Sequence, residues 1–431
     1  MCILILMLAC LFSSTLGTAA ATLVPRKRST VGGAPTVLLI AQDGHPKWAT
    51  DGRQDANIVY YAGITYIAYE SSEGLTDVED FPGPSGGGGY VKVISYNHTS
   101  NQWLGPFTVS DKPVFDNHGY PDLAVDSKGY LHIVYDGHQI PLKYKRSLRP
   151  NDASAWTASE EVGERATYPH LFVGKGDTLF LFYRERGDSY DRWVEDMRTK
   201  VNDGPWSAPT TVIDAEWKPN DPANDFCLYV QSVHLGQDNS IYMTWSWEQH
   251  GETGGMYDVG FAKSSNWGNG WTWADGTPYT LPIKRTGQYE KLWSGSYSSY
   301  FASVAANQQG QVIVLLYEFQ DGWTDSKIHE SVWCAGWKSS VIATGALNAR
   351  IMIDYAGIAH GLVMTEYPYH IMYMEAKPPY TSWTFKNVDS PSQSFYPTVA
   401  NYADGALFEG TWHARISSDH SDVYYFSLPV G

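Results

Sequence analysis

Two histidines stand near the ends of one short segment of the chain. The stretch DNHGYPDLAVDSKGYLHIVYDGH (116–138) contains His118 near its start and His138 at its end. An apolar run, a turn with Gly and a second apolar run separate them, which predicts a β-hairpin with a histidine at each open end. One histidine on a strand is usually structural. Two at the same end of a hairpin favour acid–base chemistry, because imidazole titrates near neutral pH.

The same strand–turn–strand pattern recurs along the chain. Its seven copies lie at 55–71, 116–138, 167–186, 228–248, 300–319, 347–366 and 395–414. Most copies are followed by a third apolar run and a Trp, and their spacing suits units of four strands. The sequence therefore predicts an all-β protein, a seven-bladed β-propeller. A β-sandwich is the rival fold, but it would not explain seven similar hairpins.

Propeller topology predicts which residues meet. The first strand of a blade runs down the central channel and the second runs back, so His118 and His138 should share the channel mouth. Basic and aromatic residues placed there by the same rule suit an anionic sugar. The candidates for substrate contact are Arg53, Arg184, Arg186, Trp247, Arg350 and His413. Tyr135, Tyr183 and Tyr317 share one column of the repeat, which by itself predicts a packing role.

The net charge indicates the class of binding partner, and the N-terminal residues indicate where in or outside the cell the protein acts. The net charge of −16 disfavours nucleic acid as a partner, which requires a basic surface. Residues 1–21 are apolar and end in small residues, as in a secretory signal peptide, and no other run approaches membrane-spanning length. Lys27-Arg28, within the predicted propeptide or linker 22–34, resembles a dibasic processing site. We expect a secreted, extracellular monomer with no membrane segment, whose single catalytic domain spans 35–431.

Three residues bear on modification and cross-linking. Asn97 begins the sequon Asn97-His98-Thr99 in a polar stretch, which makes it a candidate glycosylation site. Cys227 and Cys334 remain once the predicted signal peptide is removed. They could form one bridge or stay free, and the sequence does not decide between these states.

The histidine segment, followed by FLFYRERGDSYDRW (180–193), resembles the propeller-type polysaccharide lyases. These include the ulvan lyases and the rhamnosyl-glucuronate lyases of gum arabic and arabinogalactan. The resemblance covers roughly 35–431 and implies cleavage of an L-rhamnosyl-α-1,4-D-glucuronate linkage by β-elimination. The export signals favour plant arabinogalactan over algal ulvan as the substrate.

The resemblance also implies roles for particular residues. His118, His138 and Tyr183 fall on the catalytic positions of the family, and Arg198 lies near the position of the arginine that neutralises the substrate carboxylate, with Arg184 and Arg186 as alternatives. Neutralisation makes the C5 proton of the uronate removable. One histidine and Tyr183 would form the acid–base pair, and the residue types leave open which histidine is the base.

The resemblance further implies a structural metal ion, calcium rather than zinc, that the elimination itself would not require. No compact metal-ligand motif is present, although Asp225, Cys227 and His234 could contribute ligands.

Two other functions remain open. A propeller glycoside hydrolase, an α-L-rhamnosidase or a sialidase-like enzyme, would use two carboxylates or a Tyr nucleophile with an arginine cluster, and Glu248, Glu318 and Glu366 are available. A non-catalytic carbohydrate-binding propeller would be expected to repeat its binding residues in each blade, whereas the histidine pair occurs once.

Overall fold

The computed structural model describes residues 35–50, 57–75, 87–186, 193–216, 218, 226–249, 256–294, 302–320, 324–400 and 407–430. These residues belong to one compact unit. The predicted signal peptide and linker, Arg53 and Asp225 lie outside the described residues, as do parts of the long insertions around 73–90, 187–225 and 249–299. Within the described residues, no helix is long and apolar enough to span a membrane.

The strands follow one another around a ring. The first is β1 (Thr36–Gly44). Blade 1 contains β2 (Ile58–Tyr61), β3 (Ile64–Glu70), β4 (Val91–Asn97) and β5 (Gln102–Thr108). Blade 2 contains β6 (Asp122–Val125), β7 (Leu131–Asp136), β8 (Ile140–Arg149) and β9 (Asp152–Trp156). Blade 3 contains β10 (Glu160–Val173), a 3₁₀ turn (Lys175–Asp177), β11 (Thr178–Arg186), β12 (Trp193–Val201) and β13 (Thr210–Asp214).

The second half of the chain continues the pattern. Blade 4 contains β14 (Phe226–Leu235), β15 (Ile241–Gln249) and β16 (Met256–Ser264), then β17 (Ile283–Lys284), which pairs with β13, and β18 (Glu290–Trp293). Blade 5 contains β19 (Ala302–Ala306), β20 (Val312–Gln320), β21 (Thr324–Trp333) and β22 (Trp337–Thr344). Blade 6 contains β23 (Ala346–Ile353), β24 (Ala359–Thr365), β25 (Ile371–Ala376) and β26 (Trp383–Asn387). Blade 7 contains β27 (Ser394–Val399), β28 (Leu407–Arg415) and β29 (Ser421–Pro429).

The two ends of the described chain close the ring together. β1 pairs antiparallel with β29, so blade 7 has the strand order β27-β28-β29-β1. Blades 2 and 3 are continuous, because β10 starts beside β8 and then pairs with β11. The described strands therefore form seven blades, and the predicted seven-bladed β-propeller is confirmed.

Acidic and amide side chains shape the turns between the first and second strands of the blades. Asp126 Oδ1 accepts hydrogen bonds from the backbone N–H groups of Lys128 (2.9 Å) and Tyr130 (2.8 Å). Asp238, Asn307 and Asp354 cap the corresponding turns of blades 4, 5 and 6. Asp and Asn favour such turns because their side chains bond to nearby backbone donors. This explains why they recur at the centre of the repeats.

Apolar side chains pack between neighbouring blades. Tyr183, for example, is fully buried with Leu142 and Ala166 between blades 2 and 3. Tyr135 and Tyr317 are also buried, in agreement with the packing role predicted for this column. The face where first strands start and second strands end carries His118, just before β6, and His138, just after β7. We call it the site face.

Candidate active site

His118 and His138 lie face to face on the site face. Their ring centroids are 4.0 Å apart, with an angle of 25° between the rings. Both Nδ1 atoms meet the carboxylate of Asp116, which is fully buried. His118 Nδ1 lies 3.1 Å from Oδ1, and His138 Nδ1 makes a short hydrogen bond to Oδ2. One carboxylate therefore holds both imidazoles.

The ionisation of Asp116 determines which nitrogen of each histidine can do chemistry. Burial opposes the charge on Asp116, but hydrogen bonds from His118 and His138 outweigh burial and lower the pKa of the carboxyl to about 2. A carboxylate only accepts hydrogen bonds, so each Nδ1 must donate. In a neutral imidazole the lone pair then resides on Nε2, which is the nitrogen available to take a proton.

The loop that carries His138 has an unusual backbone. Asp136, Gly137, His138 and Gln139 have φ values of 64°, 85°, 142° and 62°. Surrounding contacts hold them there: the N–H groups of His138 and Gln139 both donate to Ala166 O, at 3.0 and 3.1 Å. Backbone strain of this kind persists where neighbouring structure over-determines it, and such residues concentrate at functional sites. The strained loop fixes the position of His138.

A cluster of aromatic rings adjoins His118 on the site face. Trp48, Tyr120 and Tyr168 form a buried cluster, against which Tyr229 and Tyr396 pack. The ring of Tyr168 lies 6.1 Å from that of His118. β-Bulges interrupt strand pairing at Tyr168 and at Tyr396, and a bulge re-aims the side chains within it. Blades 3 and 7 thus each turn a tyrosine toward this cluster.

Two predicted arginines adjoin this cluster in different ways. Arg184 is buried, with its guanidinium carbon 4.3 to 4.7 Å from the ring centroids of Trp193, Tyr168 and Tyr229. Arg186 is half-buried and donates to Gln139 Oε1 at 2.6 Å, next to His138. Arg186 is therefore the guanidinium tied to the histidine loop.

Tyr183 and Arg198 form a separate pair in blade 3. Arg198 Nε donates to the Tyr183 hydroxyl at 2.7 Å, and Arg198 Nη1 donates to Ser207 O at 2.9 Å. Burial raises the pKa of Tyr183, and the hydrogen bond from Arg198 offsets this rise only in part. The phenol therefore keeps its proton at neutral pH, which suits a proton donor rather than a base.

Three residues predicted to contact sugar have buried side chains. Trp247 Nε1 donates to the Tyr289 hydroxyl at 3.0 Å, and Arg350 Nη1 donates to Ala302 O at 2.6 Å. His413 Nδ1 accepts from the Thr50 N–H at 3.2 Å. All three are at most 1% exposed, so their placement does not support direct sugar contact, which stays a prediction.

Asp116, Gln139, Tyr168 and Tyr229 were not among the predicted site residues. Asp116 lies two residues before His118, and an acidic residue so close to a candidate histidine was a signal available in the sequence. The dipeptide Tyr168-Pro169 repeats Tyr120-Pro121, which marked its position but not its role. Tyr229 and Gln139 carried no such signal.

The histidine cluster is also the candidate metal site. Ligand atoms of Asp116, His118 and His138 lie within 4.8 Å of one another, an arrangement that could hold an ion. Two nitrogens and one carboxylate suit zinc better than calcium, which takes six to eight oxygens. Cys227 and His234 sit near opposite ends of β14, about 23 Å apart at the rise of a strand, and cannot share an ion. The identity of any ion stays a prediction.

The remaining predicted positions are unremarkable in geometry. Asn97 lies at the β4–β5 turn, where its Oδ1 accepts from the Thr99 N–H at 2.9 Å. This turn is on the face opposite the site, so a glycan there would leave the site open; glycosylation stays a prediction. Cys227 is buried and Cys334 exposed, and both are free thiols.

Comparisons with known proteins place this geometry in a family. Residues 64–344 match the BNR repeat-containing family. The ulvan lyase PL25 of Pseudoalteromonas sp. (strain PLSV) is 23% identical over 73% of this chain and 68% of its own length. An ulvan lyase of Nonlabens ulvanivorans is 30% identical over 39% of this chain and 37% of its own length.

Solved structures agree on the fold. A PL25 ulvan lyase bound to -[GlcA(1-4)Rha3S]- superposes with a TM-score of 0.72 at 18% identity, covering 89% of this chain and 94% of that one. The polysaccharide lyase Uly1 superposes with a TM-score of 0.65 at 13% identity, covering 89% and 91%. The predicted resemblance to propeller polysaccharide lyases is confirmed, and with it the assignment as an enzyme of that class. This chain belongs to the BNR repeat-containing family, and it is similar in sequence and fold to the ulvan lyases.

Proposed function

We propose that the protein is a secreted lyase that cleaves the L-rhamnosyl-α-1,4-D-glucuronate linkage by β-elimination. The observation that carries the proposal is the pair of stacked imidazoles, both held at Nδ1 by buried Asp116. Each Nδ1 is committed to Asp116, which leaves the Nε2 atoms of the two stacked rings for acid–base chemistry. The relatives described as ulvan lyases, and the GlcA–Rha3S ligand of one of them, support a linkage between glucuronate and rhamnose.

The elimination needs a carboxylate partner, a base and an acid. A guanidinium binds the uronate carboxylate and so makes the C5 proton more acidic. Nε2 of one histidine takes that proton, the C4–C5 double bond forms, and the C4–O4 bond breaks. The departing oxygen takes a proton from an acid, the role that the family resemblance gives to Tyr183; its phenol keeps its proton because burial raises its pKa, although the side chain is fully buried in this structure. Rhamnose leaves with that oxygen, and a 4,5-unsaturated glucuronate remains.

Arg198 is our first assignment for the carboxylate, since its hydrogen bond to Tyr183 places the two groups side by side. Arg186 is the second, because it is half-buried and bonds to the residue next to His138. Lysine keeps the charge but loses the bidentate fork. Comparing Arg198→Lys with Arg186→Lys identifies the partner as the variant with the larger loss of kcat/KM.

The hydrolase alternative receives less support from the geometry. Most such hydrolases need two carboxyl groups flanking one bond, whereas a sialidase-like enzyme uses a Tyr nucleophile with an arginine cluster. Glu248 instead accepts from the Cys227 thiol at 3.1 Å, Glu318 from His329 at 2.7 Å, and Glu366 from the Ser326 N–H at 2.7 Å. The three glutamates lie in different blades, and each accepts a hydrogen bond from a different protein donor. The structure therefore does not pair any two of them as acid and base.

We infer that arabinogalactan is preferred over ulvan, from the leader-like residues 1–21 and the dibasic Lys27-Arg28. The same residues support an extracellular location. The test is ultraviolet absorbance of the purified protein mixed separately with gum arabic arabinogalactan and with ulvan, beside the variant His138→Ala. A rise with arabinogalactan that the variant lacks is expected. Release of rhamnose without absorbance would replace the lyase with a hydrolase.

The acid–base groups named above are all protein side chains, and we propose that the chemistry needs no metal. Dialysis against a chelator should therefore leave the elimination rate within about twofold, while any structural ion would reveal itself as a lower melting temperature. A rate that is lost on chelation and restored by zinc alone would assign the histidine cluster to a metal instead.

A further inference from the structure

A continuous row of aromatic rings leads away from the histidine pair across the site face. We define the aromatic row as Trp48, Tyr396, Phe395, Tyr369 and Tyr367. Successive ring centroids are 4.8, 6.1, 5.1 and 5.8 Å apart. At its inner end, Trp48 belongs to the cluster that contains Tyr168, the neighbour of His118. The row thus connects the reaction centre with the loop between β24 and β25 in blade 6.

Exposure rises along the row toward its outer end. Trp48 is buried, and Tyr396, Phe395 and Tyr369 are half-buried, with Tyr369 and Phe395 packed between blades 6 and 7. Tyr367 is 78% exposed. Packing explains the inner rings, but it does not explain why the outermost residue displays its ring to solvent.

The loop that displays Tyr367 is firmly anchored on both sides. Pro368 O accepts from the Gln393 N–H at 2.8 Å, and Tyr369 O accepts from the Ser394 N–H at 2.8 Å, both in blade 7. On the other side, Glu366 Oε1 accepts from the Ser326 N–H at 2.7 Å in blade 5. An exposed ring on a fixed backbone offers contact area at low entropic cost, because only its two χ angles are left to order.

Positive charges accompany the row. Lys47 is exposed, and its Nζ lies 5.3 Å from the Trp48 ring centroid. Arg415 is exposed; its backbone N–H donates at 3.0 Å to Gln393 O, and its Nε donates to Ser417 O at 3.3 Å. One cation lies beside an aromatic face and a second is exposed at the site-face end of β28; on a protein of net charge −16, both suit a sugar chain that carries carboxylates.

We propose that the aromatic row binds sugar residues of an acidic polysaccharide chain beyond the linkage that is cleaved, with Tyr367 as the outermost stacking platform. The inference rests on the proposed function, since one polymer occupies both the row and the reaction centre. A pyranose ring stacks on the exposed ring of Tyr367, and the exposed Lys47 and Arg415 supply positive charge for the uronate carboxylates.

Binding is tested without cleavage, in a His138→Ala background, by affinity electrophoresis in gels containing gum arabic arabinogalactan or ulvan. Tyr367→Ala should weaken retardation by one polymer roughly 3- to 10-fold, the range expected for loss of one aromatic stack. Tyr367→Trp should retain binding because it keeps the face. The matched control is Tyr355→Ala, which removes a 53% exposed tyrosine of the same blade from the β23–β24 turn on the opposite face.

The outcomes separate this inference from the proposed reaction. Retardation that depends on Tyr367 but not on Tyr355 supports the row even if the wild-type protein proves not to be a lyase. Unchanged binding in Tyr367→Ala, equal losses in the two alanine variants, or no retardation by either polymer would each overturn the inference, whatever the elimination assay shows.

Discussion

At the residue scale, the carboxylate of Asp116 restricts two imidazoles at once. Each histidine would otherwise be free to present either nitrogen to the substrate. The shared acceptor fixes Nδ1 as the donor in both rings and so selects the nitrogen that reacts. Asp116 is a positioning residue, because it reaches the substrate only through the histidines.

Asp116→Asn should therefore lower kcat roughly 100-fold or more, while KM changes less. The amide nitrogen of asparagine cannot accept a hydrogen bond, so one imidazole loses its partner or changes tautomer. The elimination rate measures the effect, and circular dichroism checks the fold. Asp126→Asn is the matched control: it lies in the same blade on the opposite face, where asparagine can still cap the turn. A normal kcat in Asp116→Asn would contradict the positioning role.

At the element scale, short irregular segments rather than the strands themselves aim the functional side chains. The loop 136–139 holds four successive positive φ values, and β-bulges in blades 3 and 7 turn Tyr168 and Tyr396 toward the aromatic cluster. Regular strands would alternate these side chains between the two faces of a blade. The irregular segments redirect them to the channel mouth.

Gly137→Ala tests the loop. At φ 85° a Cβ is strained, and it would lie 2.7 Å from Leu142 Cδ2 and 2.9 Å from Ala166 O. We expect a loss of about 1–3 kcal/mol in unfolding free energy and a large loss of kcat, because His138 is displaced. Urea unfolding and the elimination rate measure the two effects.

Gly176→Ala is the matched control for the backbone effect. Gly176 also has a positive φ, of 68°, but a Cβ there would meet no atom within 4 Å. It lies in the turn between β10 and β11, away from the site face. The unfolding free energy of this variant should fall by only about 1 kcal/mol, and its kcat should be unchanged. Equal activity in the two variants would show that the loop geometry does not matter.

At the scale of the whole molecule, the ring buries several polar groups where blades meet. Burial lowers the pKa of His45 to about 4 and the pKa values of His170 and His413 to about 3. These three histidines are neutral in the folded protein well below the pH at which an unfolded chain would protonate them. Unfolding below about pH 6.5 therefore takes up protons, and stability falls as the pH falls.

His413→Asn should reduce this acid sensitivity. Between about pH 6 and pH 4, each such histidine contributes a slope of up to ~1.4 kcal/mol per pH unit to the unfolding free energy. The asparagine Oδ1 can replace Nδ1 as the acceptor for the Thr50 N–H without a titrating group. Urea unfolding across this pH range should give a shallower slope for the variant and parallel curves above pH 7. Identical slopes below pH 6 would show that His413 is not buried in its neutral form.

The sequence by itself was sufficient to predict the seven-bladed fold and the proximity of His118 and His138. Seven strand–turn–strand repeats, with Asp or Asn in most of their turns, suffice because alternating strands and capped turns are local properties. The blade topology then follows, and it brings His118 and His138 together although they are twenty residues apart. Tyr183 was found only through the resemblance, since its repeat column indicates packing.

Only the tertiary structure decided which candidates lie together and which are buried. Trp247, Arg350 and His413 obey the same topological rule as the histidines, yet their side chains pack inside, because exposure depends on what the neighbouring blades place beside them. The bridging role of Asp116, the tyrosines of the mouth and the aromatic row arise from bulges, positive φ values and contacts between blades. A repeat pattern does not encode these features, since they depend on residues from several blades meeting in space.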